Sequence, residues 1–471
     1  MIKLNLCALT CLVLVPAGAF CAEPSGSALS PPLMVSATRS PDKPWSEYAT
    51  RVVATLPDYA IHSDGALSTY GGLKSVTRKA TGFFRAEKTG ARWWLVDPEG
   101  HPFINVGVVN VDIPAGSIEA NRALRDQFGP RSAWAEVALT QLRAHGFNGS
   151  GAWSDDSSLR ASSHPVVYTR IWDFMSAYGK KRGGTYQEPG HIGYPQGCIF
   201  AFDPEFPAFC DEYAAKNLAA LKDDPWLLGH FSDNELPFYH KTLDNFLSLP
   251  KADPGQKAAA DWLAQRRAGR ADQSTLTEDE RHDFLGFLAE RYLSITSAAI
   301  RKYDPNHLCL GPRFNSYELD VAPVFAAAGR HLDVIAINYY RAWTPDPARM
   351  KRWTEWSGKP FLITEWYAKG MDSGYSNLSG AGWTVKTQRD RGLFYQNFAL
   401  GLLESGDCVG WHWFKYMDND PSDLSTDPSN RNSNKGIVTI RFAPYAPLLE
   451  AMKELNSQVY SLAEYFDGRK R

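Results

Sequence analysis

Between residues 103 and 414 this chain repeats one pattern eight times. A seven- or eight-residue apolar run is followed by a longer, helix-patterned or irregular stretch. The runs are FINVGVV (103–109), GFNGSGAW (146–153), VVYTRIW (166–172), WLLGHFS (226–232), HLCLGPRF (307–314), DVIAINYY (333–340), PFLITEW (360–366) and CVGWHWF (408–414). Strands apolar at consecutive positions are buried on both faces, and parallel strands need a crossover between them. Helical spacing fills most gaps, for example residues 134–145, 206–221, 283–303, 321–328, 387–405 and 447–462. Eight such units point to an α/β fold, a (β/α)8 TIM barrel. The competing doubly wound sheet calls for a glycine-rich phosphate turn after an early strand, and none is visible.

Around this core the chain divides unevenly. Residues 1–22 open with Lys3 and an uncharged apolar stretch ending near Ala17-Gly18-Ala19, the pattern of a signal peptide, so an exported protein (periplasmic or extracellular) is expected. Pro24, Pro31, Pro32, Pro41 and Pro44 make residues 23–45 read as a linker. Residues 46–80 leave room for a small accessory element. GFFRAEKTGARWWLVDPEGHPF (82–103) reads as an N-terminal β-hairpin turning at Thr89-Gly90. A helical insertion is expected after the fourth strand, over 240–282, and the catalytic barrel is expected to span 81–466.

A formal net charge of −2 gives no reason to expect a nucleic-acid partner, and no later apolar segment is long enough for membrane insertion. Cys198, Cys210, Cys309 and Cys408 follow the leader and allow three pairings, with Cys198 and Cys210 near enough in sequence to staple one loop. None has metal-ligand spacing, and neither a metal nor a cofactor is expected. The 15 Trp and 21 Tyr suit either a large core or stacking on sugar rings.

The chemistry concentrates where strands end. In a barrel the active site lies at the C-terminal ends of the strands. There the fourth run gives way to Asp233-Asn234-Glu235 and the seventh ends in Glu365. Two opposed carboxyl groups are the equipment of glycoside hydrolysis, close together for retention and wider apart for inversion. Other strand ends offer Asn110 and Asp112, Trp153 and Asp155, Arg313 and Asn315, and Lys415 as sugar contacts. Trp413, or less readily Trp411, is a candidate subsite floor. Either Tyr339 or Tyr340 is placed to donate to Glu365, and Tyr339 is carried forward as the candidate. His230 and His412 read as barrel-core histidines, and the loop 416–436 as a solvated lid rather than a calcium loop.

With LVDPEGHPF, HFSDNELPF, ITEWYAKGMDSG and HWFKYMDND on the page, the chain resembles clan A glycoside hydrolases and, more narrowly, the β-agarase family 50, over about residues 80–455. The resemblance implies a retaining β-glycosidase acting on a polysaccharide or oligosaccharide. Glu235 would be its general acid/base, Glu365 its nucleophile, and Asn234 a contact to the sugar hydroxyl beside the anomeric carbon. Another β-glycan, or a catalytically silent sugar-binding barrel, is the alternative.

Overall fold

The computed structural model describes residues 32–60, 65–268 and 275–469. The expected signal peptide, and the expected linker as far as residue 31, lie outside the described residues. All eight apolar runs contain a barrel strand: Asn105–Val108, Gly149–Ser150, Val167–Ile171, Leu227–Phe231, Leu308–Gly311, Ile335–Asn338, Phe361–Glu365 and Cys408–Trp413. In the order 5-4-3-2-1-8-7-6 they form one parallel sheet. A parallel bridge between Phe314 and Ile337 joins the fifth strand to the sixth and closes the ring.

Both barrel-core histidines behave as expected. His412 fills the interior, its Nε2 2.6 Å from Asn105 Oδ1. The first and second strands carry glycine beside it for that reason: a Cβ on Gly107 would meet the imidazole at 2.7 Å, and one on Gly151 at 2.9 Å. His230 accepts at Nδ1 from Trp172 Nε1 and faces Asp304 Oδ2 through Nε2 at 2.8 Å. His307 Nδ1 reaches the same oxygen at 2.7 Å, and its Nε2 lies 2.8 Å from the Asp224 carbonyl. Every nitrogen of this buried trio is engaged, which makes it a hydrogen-bonded pin between the helix Glu278–Tyr303 and strands four and five.

Burial raises the Asp304 pKa, but the bonds from His230 and His307 outweigh it and hold the carboxyl well below the usual carboxylate range. A depressed carboxylate pKa contributes stability above its unfolded value that is lost as pH falls. Asp304→Asn is therefore expected to lower stability by about 2 kcal/mol at neutral pH. The difference in Tm from wild type should shrink below about pH 4, as thermal melts across pH would show.

At the N-terminal end of the barrel, the expected hairpin forms from Arg85–Thr89 and Arg92–Val96, with Pro102–Phe103 added as a third strand. Phe84, Leu95 and Phe103 pack with Leu228, Leu308, Val334, Leu362 and Val409 into one buried cluster, closing that end. The insertion after strand four is helical, Thr242–Ser248 and Pro254–Arg266, and its described residues contribute no lining to the cleft described below. Among the described residues no helix is long and apolar enough to cross a membrane.

Two expectations give way. Residues Leu33–Thr38 are not linker: they pair antiparallel with Ser46–Thr50 and with Trp383–Val385, in a four-stranded sheet completed by Ala368–Gly370. The flanking prolines bound the strand, which pairs along its length with the nearby Ser46–Thr50 and by its last two residues with the distant Trp383–Val385. The possible staple between Cys198 and Cys210 is absent. All four described cysteines are buried free thiols, and burial pushes the Cys198 and Cys210 thiols well above the ordinary cysteine range.

Candidate active site

At the C-terminal end of the barrel lies a cleft of about 880 Å³. Residues on and behind its wall owe their aim to an unusual backbone. Asn110, Trp153, Asp173, Glu235 and Arg313 all have φ between 50° and 59°, each just beyond the end of a barrel strand. Left-handed conformations at non-glycine residues are strained, and they cluster at functional sites because they redirect side chains that a regular strand would bury or expose.

The triplet Asp233-Asn234-Glu235 splits by role. Asp233 borders the cleft but is buried, its carboxyl committed to hydrogen bonds. Its oxygens accept from the Met175 and Ser176 amides, at the start of the helix Phe174–Arg182, and from Tyr292 Oη at 2.5 Å. Asn234 and Glu235 line the cleft. Asn234 Oδ1 accepts from Arg313 Nη1 at 2.9 Å and Asn338 Nδ2 at 3.2 Å. Asn338 Nδ2 also donates to Glu235 Oε1 at 2.7 Å. Asn338 is itself set by Thr364 Oγ1, which donates to its Oδ1 at 2.7 Å.

Glu365 ends the seventh strand directly beside Asn338 in register. Its Oε1 accepts from Arg313 Nη2 at 2.7 Å and its Oε2 from Tyr340 Oη at 2.6 Å. Arg313 is wholly buried and lies 4.6 Å over the Trp153 ring. One guanidinium thus ties together Asn234, Glu365 and Trp153. Glu365 is held between a cation and a hydroxyl donor. Glu235 sits in the opposite environment: burial first, then the charge of Glu365, raise its pKa well above the ordinary glutamate range, and Asn338 and Arg313 only partly offset this. A carboxyl group biased toward its protonated form and a second one bonded to a cation face the same cleft, the arrangement that acid-assisted glycosyl transfer requires.

Several expected contacts are placed elsewhere. Tyr340, not Tyr339, meets Glu365. Tyr339 Oη accepts from the Asp346 amide, and its ring packs on Trp353 and Phe398. Trp413 and Trp411 do not reach the cleft. With His412 pointing inward, strand alternation sends both outward, where Trp413 donates to the Lys435 carbonyl and packs edge-on against Trp366, and Trp411 donates to Tyr395. Arg313 is a positioning group behind the cleft wall rather than part of its lining. Asp155 pairs with Arg131 and caps the short helix Asp156–Arg160. Asn110, Asp112, Trp153, Asn315 and Lys415 line the cleft as expected.

Sequence reasoning missed Asn338, although it ends strand six as Glu365 ends strand seven. It also missed Tyr367, Lys435 and Asp173, which line the cleft without a local signature. The loop 416–436 does cover the site. Asp427 accepts from the Gly190 amide at 3.0 Å and from Gln187 Nε2 at 2.9 Å, joining the small hairpin Tyr186–Glu188/His191–Gly193 above the cleft.

A parallel eight-stranded barrel with Asn-Glu after its fourth strand and Glu closing its seventh has the fold and site of a clan A glycoside hydrolase. No protein-family model matches the chain. The solved structure of BpGH50 is 31% identical, with a TM-score of 0.81, and the match covers 93% of this chain and 96% of that one. The chain belongs to glycoside hydrolase family 50. It is also similar to Beta-agarase B of Vibrio sp. (strain JT0107), 26% identical over 84% of this chain and 50% of that protein. Beta-agarase A of the same strain is 23% identical over 80% and 46%. The chain spans about half the length of these curated relatives.

Proposed function

We propose that this protein hydrolyses β-linked galactan of agar type, by double displacement with retention. The observation that carries the reading is the split environment of the two glutamates, with Glu365 held by Arg313 and Tyr340 and Glu235 biased toward its protonated form. In this reading Glu365 attacks the anomeric carbon while Glu235 protonates the leaving oxygen. Glu235 then deprotonates the water that releases the sugar. Asn234, its Oδ1 already engaged, offers Nδ2 to the hydroxyl beside the anomeric carbon. Trp153, Asn110 and Lys415 hold the chain of sugars. The agar-type substrate is supported by the similarity to the two named β-agarases, and export by the leader-like residues 1–22. A different β-glycan processed by the same pair is the second reading, favoured by the limited coverage of those relatives.

The test is a product assay on agarose, agar oligosaccharides and a panel of plant and aryl β-glycosides, with Glu235→Gln as control. Neoagaro-series products, formed first with retained configuration by proton NMR and lost in the variant, are the expected result. Hydrolysis confined to another β-glycan would replace the substrate, and an inverted first product would replace the mechanism. The sizes of the products report whether the roof tied by Asp427 admits internal cleavage.

A further inference from the structure

The lysines buried in the cleft wall differ in how well they are satisfied. Lys435 donates to the Ser429 carbonyl and to Asn430 Oδ1, both at 2.7 Å. Lys415 is only 3% exposed, yet its ammonium makes a single long bond, 3.3 Å to Asn110 Oδ1, and no ion pair among the described residues. A buried ammonium left with donors to spare is costly unless a ligand takes them up. Burial accordingly pushes its pKa down to about 8. Four residues along, Asn419 is also 3% exposed. Its Nδ2 donates to Thr426 Oγ1 at 2.6 Å, while its Oδ1 finds no donor among the described residues. Both side chains line the cleft.

The barrel's geometry says which part of a substrate they meet. Both follow the eighth strand, diametrically opposite the fourth, where Glu235 delivers its proton. The leaving group departs toward Glu235, so the retained sugars extend toward strands eight and one. The chemistry says what those sugars present. Lys415 needs an acceptor and Asn419 Oδ1 needs a donor, and a free hydroxyl supplies both roles. An O-methyl group keeps the acceptor and loses the donor. An O-sulfate also loses the donor, and it brings negative charge toward Asp112, which lines the same cleft near Lys415.

We infer that Lys415 and Asn419 form a hydroxyl-reading subsite on the retained side of the cleft, selecting a neutral ring with free hydroxyls over one carrying O-methyl or O-sulfate. The inference rests on the glycosidase reading above and adds the residues that set its substrate. The test measures kcat/KM for wild type, Lys415→Met, Lys415→Arg and Asn419→Ala. The substrates are agar oligosaccharides, either unsubstituted or bearing O-methyl or O-sulfate groups, and Tm serves as a check on folding.

Wild type should favour the unsubstituted substrate by about tenfold or more, and Lys415→Met should lose about 10- to 100-fold on it, with partial recovery in Lys415→Arg. Asn419→Ala should shed most of the O-methyl penalty, a ratio that a general loss of activity would leave unchanged. If Lys415→Met does not fold, the Asn419→Ala ratio decides. A wild-type preference for the sulfated substrate would make Lys415 an anion receptor and overturn the inference, as would discrimination unchanged in Asn419→Ala. Wild type inactive on every agar substrate but active on another β-glycan would overturn the agar reading instead. Free and methylated forms of that glycan would then decide the subsite with the same variants.

Discussion

Glu365→Gln is expected to lower kcat by about 10⁴-fold or more, the scale seen when a covalent nucleophile is removed, with the fold intact. Glu235→Gln should cost about 10²- to 10⁴-fold on natural substrates, as loss of a general acid does. It should recover much of its bond-cleaving rate on glycosides whose leaving groups need no proton. That asymmetry separates the roles: if Glu365→Gln rather than Glu235→Gln is rescued by a good leaving group, the assignments are reversed.

The pH profile carries the same information. Because burial and the charge of Glu365 raise the Glu235 pKa, the alkaline limb of kcat/KM for wild type should lie above neutrality, where Glu235 loses its proton. This limb should be missing in Glu235→Gln. The linkage also has a sign for stability. A carboxyl whose folded pKa lies above its unfolded value costs stability as pH rises through that interval. Glu235→Gln should therefore raise Tm more at pH 8 than at pH 5. An equal shift at both would show that the cleft does not strain this group.

Arg313→Met is the second large effect. Arg313 is fully buried, and its guanidinium bonds Glu365, Asn234 and the Thr364 carbonyl. Removing it strands the Glu365 charge in a desolvated site, which costs about 3–5 kcal/mol. Activity should fall mainly in kcat, because the carboxylate and Asn234 lose their aim together. Arg313→Lys should rescue only partly, since an ammonium cannot hold both partners as a planar fork does. The decisive measurement is a double-mutant cycle. If the lost stability reflects an unpaired charge, Arg313→Met/Glu365→Gln should be more stable than Arg313→Met alone. Strictly additive losses would mean that Arg313 acts only by filling space.

Much of the cleft was legible in the chain, for a local reason. A strand buried on both faces must be apolar throughout, and the residue where it ends must leave the core, so Glu235 and Glu365 announced themselves as carboxylates at the ends of apolar runs. Asn110, Trp153 and Lys415 were visible by the same logic. The facing of neighbours was not. Alternation fixes only that Asn338 and Tyr340 share a face; the bond of Asn338 to Glu235 shows that this face is the cleft, and so Tyr340 rather than Tyr339 reaches Glu365. Trp411 and Trp413 were misplaced because alternation fixes only that they share a face; the inward turn of His412 shows which one.

By itself the sequence determined the barrel, the hairpin that closes one end, the helical insertion and the two glutamates, all set by periodicity and by polarity at strand ends. Tertiary structure alone decided where the hairpin of Leu33–Thr38 and Ser46–Thr50 docks, because Trp383–Val385 lies hundreds of residues away. It alone gave Arg313 its place behind both Asn234 and Glu365, and let Asp427 bind the hairpin across the cleft. The physical reason is common to these cases. Backbone period and burial are local properties of a chain, whereas a charge finds its partner, and a strand its neighbour, only once distant segments have been brought together.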